Sequence, residues 1–321
     1  MAVAGPPVLV VTRLDDATAD EVIGELNRRR VPVVRLDPGD FPTAVTVAAT
    51  LDGTGVAGTL TTETRAVDLD GVRSVYWRRP TPYRADLAMS EQTARWALEE
   101  ARHGLGGVLA SLPGAHYLNH PWRNRDAEYK PAQLATAARC GLNVPPTLLT
   151  NDPGQARDFV NTRRPVLYKP LRDTEYADAD GRSLTVWIDD VGPAQIDARV
   201  RHTAHLFQQR VPKTADIRLT AVAEQLFAVR IDDSPGIDWR RHYDRLTYAP
   251  IDVPPEIAKG VRDYLNAFGL IFGAFDFGLD PDGRWHWYEC NPNGQWAWLP
   301  DHITSPITTA LADQLQYGGN A

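Results

Sequence analysis

The stretch "WHWYECNPNGQWAWLP", Trp285 to Pro300, holds four tryptophans, two asparagines and a single carboxylate. Just before it, "DPDG" at 280–283 is a turn signal between two apolar runs, so the segment reads as the second strand of a hairpin. Pairing Asp280 with Gly283 sets Asp276 opposite Trp287. Side chains alternate between the two faces of a strand. This register puts Trp285, Trp287, Glu289 and Asn291 on the face of Asp276, with Glu289 its diagonal neighbour at about 7–8 Å. Two carboxylates and an amide oxygen on one face repel and lose hydration unless a cation joins them. Oxygen donors without His or Cys select Mg2+ or Mn2+. Mg2+ keeps room for water and substrate phosphates, so a nucleotide is expected with it. Two alternatives stand beside this reading. Asp276 and Glu289 could pair with arginines at a strand end, and a slip of one residue in the turn would put Asp276 on the other face.

The chain has 321 residues, long for one core and typical of two or three packed subdomains. Its formal net charge of −7 argues against a general nucleic-acid binder, which needs clustered Lys and Arg. Two cysteines, Cys140 and Cys290, cannot form a disulfide framework or a Cys-rich metal site, and a reduced cytoplasm is the simplest compartment. The start "MAVAGPPVLVVTRLDD" has no basic n-region and only a short apolar run, so no signal peptide is expected, and no stretch has the length of a membrane span.

From the N-terminal side, "PVLVV", "TRLDDATADEVIGELNRRR" and "VPVVRLD" read as strand, helix and strand. The glycine spacing of a dinucleotide fingerprint is missing, so a nicotinamide cofactor is not expected. Further strands with a hairpin and a helix over 90–110 complete a small α/β unit to about residue 120. "NRDAEYKPAQLATAARCGL" reads as one helix, capped at Asn124 or Asp126 and stopped at Gly141. "RPVLYKPL" is a strand ending on Lys169, and "RDTEYADADGRS" (172–183) is polar and aperiodic, a mobile loop. "LTVWIDD" reads as a strand, 193–202 as a helix, and "HLFQQRVPKTADIRLTAVAEQLFAVRIDD" as a strand, a turn and two long strands. An amphipathic helix, the hairpin and a last helix over about 305–316 finish the chain.

These features resemble the ATP-grasp ligases, in which a C-terminal Asp and then Glu-x-Asn on the next strand hold two Mg2+ ions on ATP; here they match Asp276, Glu289 and Asn291. The resemblance covers about residues 115–320. It implies an α/β (α+β) ATP-grasp fold with an N-terminal pre-ATP-grasp α/β domain. The expected division is a pre-ATP-grasp domain at 1–118, a small subdomain with a mobile lid at 119–212, and a C-terminal subdomain with the metal hairpin at 213–321. Lys130 and Lys169 match the two lysines that contact phosphates and adenine. "FQQRVPK" resembles the adenine hinge, with Gln209 in place of the usual Glu, and with Arg210 and Val211 offering backbone groups. "YWRRP", "YKP", "DIR", "DWR" and above all "ECNPNGQWAWL" narrow the resemblance to the ATP-grasp ribosomal peptide maturases, the graspetide synthetases of the microviridin type.

That resemblance implies an enzyme that activates Asp or Glu side chains of a precursor peptide as acyl phosphates. Ser, Thr or Lys side chains of the same peptide then attack, giving macrolactones or macrolactams. The partner is a precursor peptide with a leader and a core containing Thr, Ser or Lys together with Asp and Glu. No nucleic-acid or membrane partner is expected, and a homodimer stays open. Arg240 of "DWR" resembles the arginine that stabilises the acyl phosphate, with Arg241 beside it as the other register. Asp216 and Arg218 of "DIR" share a strand face. Asp216 could bond a ribose hydroxyl, and the Arg218 fork could grip a substrate carboxylate or pair structurally with Asp216. "RRP" at 78–80 could touch the nucleotide domain or cap a strand, and Trp296 and Trp298 are expected to pack. Two other classes remain: an ATP-grasp ligase that adds a free amino acid, and a nucleotide-binding sensor without catalysis.

Overall fold

The computed structural model describes residues 5–318 except 54, 173–175, 178, 179, 181, 235 and 242–244, and the side chains of 176, 177, 183 and 241 also lie outside it. Contacts divide the chain into two compact units, Met1–Asn124 with Leu270–Phe272 and Pro292–Ala321, and Arg125–Gly269 with Gly273–Asn291.

In the first unit, β1 (Val8–Val11), α1 (Ala17–Arg28) and β2 (Val33–Leu36) form the expected βαβ start. The Asp16 side chain accepts the Ala19 N–H at 3.2 Å and starts α1, whose buried face carries Val22 and Leu26. β3 (Val45–Asp52), β4 (Gly55–Thr62) and β5 (Ala66–Asp68) make a separate antiparallel sheet. β6 (Ser74–Trp77), α2 (Glu91–Leu109) and β7 (His116–Leu118) follow, and the parallel sheet runs β2-β1-β6-β7. The C-terminal helix spans Asp301–Tyr317, a turn longer at its start than the sequence pattern implied. It packs on α1, where Arg29 meets Asp313 at 2.6 Å, and Ser74 Oγ donates to Leu315 O at 2.7 Å.

Arg78, just after β6, is 2% exposed and places Nε 2.9 Å from Asp16 Oδ2. Of the two readings of "RRP", this is the structural one for Arg78. Burial works to raise the Asp16 pKa, but Arg78, Thr12 and the Ala19 N–H outweigh it and hold the carboxyl below its ordinary value. A depressed carboxylate contributes stability that is present above its unfolded pKa of about 3.9 and is lost as pH falls through the lower folded value. Arg78→Met leaves Asp16 buried without its cation and is expected to cost about 3–5 kcal/mol at pH 7. The deficit against wild type should shrink below about pH 4, where the unfolded chain binds this proton. Urea unfolding of both proteins at the two pH values measures it, and a neutral-pH loss under about 1 kcal/mol contradicts the pairing argument.

The connector "SLPGAHYLNHP" contains a buried junction that the sequence did not announce. Asn119 is 2% exposed. Its Nδ2 donates to Phe272 O (2.9 Å), Pro292 O (3.1 Å) and Asn124 Oδ1 (3.0 Å), and its Oδ1 accepts the N–H groups of Ile271 (2.8 Å) and Phe272 (2.9 Å).

The helix expected to run unbroken from Asn124 or Asp126 is two helices, α3 (Pro121–Ala127) and α4 (Lys130–Arg139). Pro131 suits a first helical turn and disfavours a helix running through the residues before it, so the break falls at 128–129, just ahead of Lys130. Asn124 lies inside α3 and caps nothing; Gly141, at φ 78°, does end α4.

The second unit continues with β8 (Thr147–Thr150), α5 (Pro153–Thr162) and β9 (Val166–Lys169). The expected lid, 172–183, falls largely outside the described residues; within it β10 (Tyr176–Ala177) pairs with β11 (Ser183–Leu184). "LTVWIDD" is not one strand, since only β11 and β12 (Asp189–Asp190) flank an irregular 185–188. The helix expected at 193–202 is two 3₁₀ turns, Pro193–Gln195 and Ala198–His202, because Pro193 and the Asp197 cap each start a turn of their own. β13 (His205–Gln209) completes a sheet in the order β12-β9-β13-β8, packed on α5 through Val160, Val166 and Phe207.

β14 (Ala215–Val222), β15 (Gln225–Asp232), β16 (Thr247–Pro250), α6 (Pro255–Phe268), β17 (Phe272–Leu279) and β18 (Trp285–Asn291) build the larger sheet, ordered β16-β15-β14-β17-β18. α6 covers one face of it, with Tyr264 against Phe275 and Trp287. Gly260 lets α6 approach α4, since a Cβ there would stand 2.6 Å from Leu142 Cδ2 and 3.0 Å from Cys140 O. Among the described residues no helix is long and apolar enough to cross a membrane.

Candidate active site

The hairpin register differs from the expected one in two steps. Gly283 N–H does bond Asp280 O, but Asp280 N–H bonds Arg284 O, so the ladder starts one residue later, and it shifts again between Asp276 and Phe277. Asp276 therefore lies directly opposite Glu289, while Phe277 faces Trp287 and Leu279 faces Trp285. Tyr288 is the extra residue of a β-bulge. The physical reason is a conflict that alternation cannot resolve. Trp285, Trp287 and Glu289 have the same parity, yet the indoles belong in the core and the carboxylate does not. Burying a large apolar side chain is worth about 1.5–3 kcal/mol, and burying an unpaired carboxylate costs several kcal/mol. One inserted residue satisfies both. Trp287 is fully buried under α6, and Tyr288 and Glu289 both reach the opposite face. The placement of Trp285 and Trp287 beside Glu289 is thus corrected. The signal was present: "W-x-W-x-x-C" changes phase, since Cys290 is buried with the tryptophans.

Asp276 and Glu289 stand on the wall of a cavity of about 410 Å³, within the usual range for small-molecule sites. Lys169, Asp216 and Arg240 share this wall, as do Gln209, Arg210 and Val211. Lys130 and Arg218 reach the site through its carboxylates instead. Lys130 Nζ is 3.2 Å from Glu289 Oε2, and Arg218 Nη1 donates to Asp276 Oδ1 at 3.0 Å. Arg240 Nη2 donates to Glu289 Oε1 at 3.1 Å and lies 3.6 Å from Asp276 Oδ2. The arginine pairing foreseen as an alternative is therefore present, and it sits inside the cavity wall. Asn291 pairs with Ala274, two residues along from the Glu289–Asp276 pair, so it keeps the face of Glu289, and it is exposed. The side chain of Arg241 lies outside the described residues.

These charges shape one another. Lys130 first, then Arg240 and Lys169, hold the Glu289 carboxyl well below the ordinary range against its burial. For Arg240, burial is outweighed by Glu289, Asp276 and Asp238, so its pKa is raised. Burial pushes the Lys169 ammonium down to about 8, against the pull of Glu289. Its Nζ donates to Gln208 Oε1 at 3.1 Å and lies 5.2 Å from the centre of the Tyr288 ring.

Asp216 does not pair with Arg218. Lys213 Nζ donates to both Asp216 oxygens, at 2.7 and 2.6 Å, and to Ile237 O at 2.8 Å. Burial lifts Asp216 to about 6 in spite of Lys213. In the hinge, Arg210 N–H is committed to Pro165 O, and Val211 O accepts the Lys213 N–H. Sequence reasoning missed Gln208, Lys213, Asp238 and Tyr288. Alternation along β13 from the buried Phe207 did not mark Gln208, because two adjacent glutamines look alike. Trp296 is fully buried as expected, and Trp298 Nε1 donates to Gln295 O at 3.2 Å.

Among the described residues no cluster of three or more His, Cys, Asp or Glu could hold a metal by itself. Two carboxylates and an amide oxygen are instead the partial donor set of a cation that completes its sphere with phosphates and water, and they fit Mg2+ in that sense. The basic groups around them suit a polyphosphate.

The model of the MvdD pre-ATP grasp domain family matches residues 7–125. No curated protein matches the chain significantly. Among solved structures the chain is similar to the macrocyclase MdnC of Microcystis aeruginosa MRC, bound with precursor peptide MdnA, at 28% identity over 97% of this chain and 99% of that one, with TM-score 0.85. It is similar to a RiPP-associated ATP-grasp ligase of Chryseobacterium gregarium in complex with ADP and a leader and core peptide, at 23% identity, 98% and 97% coverage and TM-score 0.88. It is also similar to the ATP-grasp ligase PsnB complexed with minimal precursor, Mg and ADP, at 22% identity, 98% and 97% coverage and TM-score 0.78.

Proposed function

We propose, from the premise that this chain belongs to the ATP-grasp ribosomal peptide maturases, the graspetide synthetases, that it crosslinks the side chains of a precursor peptide at the cavity of its second unit. Its fold is the ATP-grasp fold with a pre-ATP-grasp domain, and it is a ligase that uses ATP and Mg2+. The observation that carries the site is the direct pairing of Asp276 with Glu289 on a cavity wall shared with Lys169 and the 209–211 stretch.

In this reading Lys169, Gln209, Arg210, Val211 and Asp216 hold the nucleotide, and Lys130 and Lys169 orient its phosphates. Asp276, Glu289 and Asn291 would hold Mg2+, as two ions, with Mn2+ as a substitute. When bound, the metal offsets charge between the γ-phosphate and the attacking oxygen. A peptide carboxylate oxygen forms a bond to the γ-phosphorus as the bond to ADP breaks. A Ser or Thr hydroxyl or a Lys amine then attacks the acyl carbon, phosphate leaves, and the nucleophile gives its proton to solvent. Arg240, on the cavity wall, steadies the acyl phosphate, and Arg218 takes the carboxylate to be activated. The partner peptide carries a leader and an acidic core with Thr, Ser or Lys. The functional segments 1–118, 119–212 and 213–321 and a cytoplasmic location, where ATP is supplied, belong to the same proposal. The test is ADP release with and without precursor peptide, alongside peptide mass. Loss of one water per crosslink supports the ligase; peptide-independent turnover, or transfer of a free amino acid, removes it.

The role of Arg218 has its own test. The chain carries −7, so long-range attraction does not gather an acidic peptide and a local cation must. Losing one desolvated fork contact costs about 2–5 kcal/mol, or roughly 30-fold to several thousand-fold in turnover. Arg218→Ala should show that fall with little change in ATP affinity, and Arg218→Lys should stay impaired because it lacks the planar fork. Parallel collapse of ATP binding and turnover in Arg218→Ala assigns the residue to the nucleotide instead.

A further inference from the structure

Among the described residues β18 is an edge strand, paired only with β17. Backbone groups on its open side need partners, and a bulged edge is prone to twist and slip. Those partners come from α4 and the residues after it. Gln133, one turn beyond Lys130, is 4% exposed. Its Nε2 donates to Cys290 O at 3.0 Å and to Ala127 O at 2.6 Å, and its Oε1 accepts the Cys290 N–H at 3.1 Å. Asn143 O accepts the Trp287 N–H at 2.8 Å. The open edge is thus covered on both sides of Tyr288. Cys290 is the residue between Glu289 and Asn291, and both of its backbone groups are held by one side-chain amide.

We infer that Gln133 is a positioning residue for the metal donors: its clasp on Cys290 fixes the backbone from which Glu289 and Asn291 project. The same helix presents Lys130 to Glu289, so one rigid element sets both the carboxylate and its cation. This inference rests on the proposed role of Glu289 and Asn291 toward Mg2+. Gln133 touches neither metal nor substrate and acts through the strand.

The test uses Mn2+ as the probe, followed by electron spin resonance of the ion in the presence of ADP, with the full chain in excess. Gln133→Met keeps the length of the side chain and loses both hydrogen-bonding ends. It is expected to weaken Mn2+ binding about 10- to 100-fold while ADP binding measured in EDTA changes less than about threefold. Leu142→Ala is the control. It removes a buried side chain packed against Gly260 without touching Cys290, so it lowers stability and should leave Mn2+ binding in place. Should Gln133→Met not accumulate as folded protein, Gln133→Asn, with the same amide one methylene short of Cys290, is expected to show the same loss. Equal Mn2+ binding by wild type and the Gln133 variant overturns the positioning role, and so does an equal loss in Leu142→Ala. A wild-type chain that binds no Mn2+ with ADP present overturns the donor assignment beneath it, which is a different failure.

Discussion

Glu289→Gln is expected to lower peptide-dependent ADP release by about 100- to 1000-fold or more, on the scale of removing one preorganised charge partner from an active site. The substitution keeps the size of the side chain and removes its charge. Lys130 and Arg240 then face an amide, and Lys169 loses the carboxylate that resists its deprotonation. Excess Mg2+ should not restore the rate, because the missing ligand is part of the protein. The fold should survive, since the Glu289 side chain keeps 18% exposure and water can reach the cations left behind. Asn291→Ala, at the exposed end of the same strand, should lose activity in the same way. Turnover in both variants within about threefold of wild type would falsify the metal assignment, because neither would then contribute as a charge partner.

Asn119→Leu is expected to be the most destabilising single change in the first unit. Leucine fills the space and makes none of the five hydrogen bonds. It leaves the N–H groups of Ile271 and Phe272 and the carbonyls of Phe272 and Pro292 without the amide that now serves them. A buried polar group left unsatisfied costs about 1–3 kcal/mol, so four of them suggest a loss of about 4 kcal/mol or more. Against a typical total of about 5–15 kcal/mol, that is enough to leave much of the chain unfolded at 37 °C. Urea unfolding read by tryptophan fluorescence measures it. A loss below about 1 kcal/mol would mean that water replaces the amide and that the junction is not structural.

The sequence made some of this readable and hid the rest for identifiable reasons. Asp276, Glu289 and Asn291 stood out because carboxylates and amides in an apolar hairpin contradict its burial pattern. Lys169 stood out for the same reason at the end of "PVLY". Their register was hidden, since a bulge has no residue signature of its own and only the change of phase from Trp287 to Cys290 betrays it. Lys130 was singled out through the resemblance, but the helix bearing it was drawn too long because Pro131 was passed over as a start. Gln133 and Asn119 were invisible for another reason. Both act on backbone groups far away in sequence, and nothing local distinguishes a clasping amide from a solvated one. Lys213 was missed because spacing joined Asp216 to Arg218, whereas the fold joins each to a different partner.

The bulge at Tyr288 has a consequence for how the hairpin can vary. Its register is held at two places, by the hydrogen bonds that close the turn on Asp280 and by those Gln133 makes to Cys290, with the extra residue Tyr288 between them. Because the second hold lies beyond Tyr288, residues added at 281–283 are expected to leave the Asp276–Glu289 pair in place. Deleting Tyr288 would instead bring Trp287, Glu289 and Cys290 into direct succession, which alternate core, cavity, core without a bulge, and would remove the ring that faces Lys169. What the extra residue adds is a second side chain on the cavity wall, so the bulge enlarges the set of groups the hairpin presents there while Trp287 and Cys290 both stay in the core.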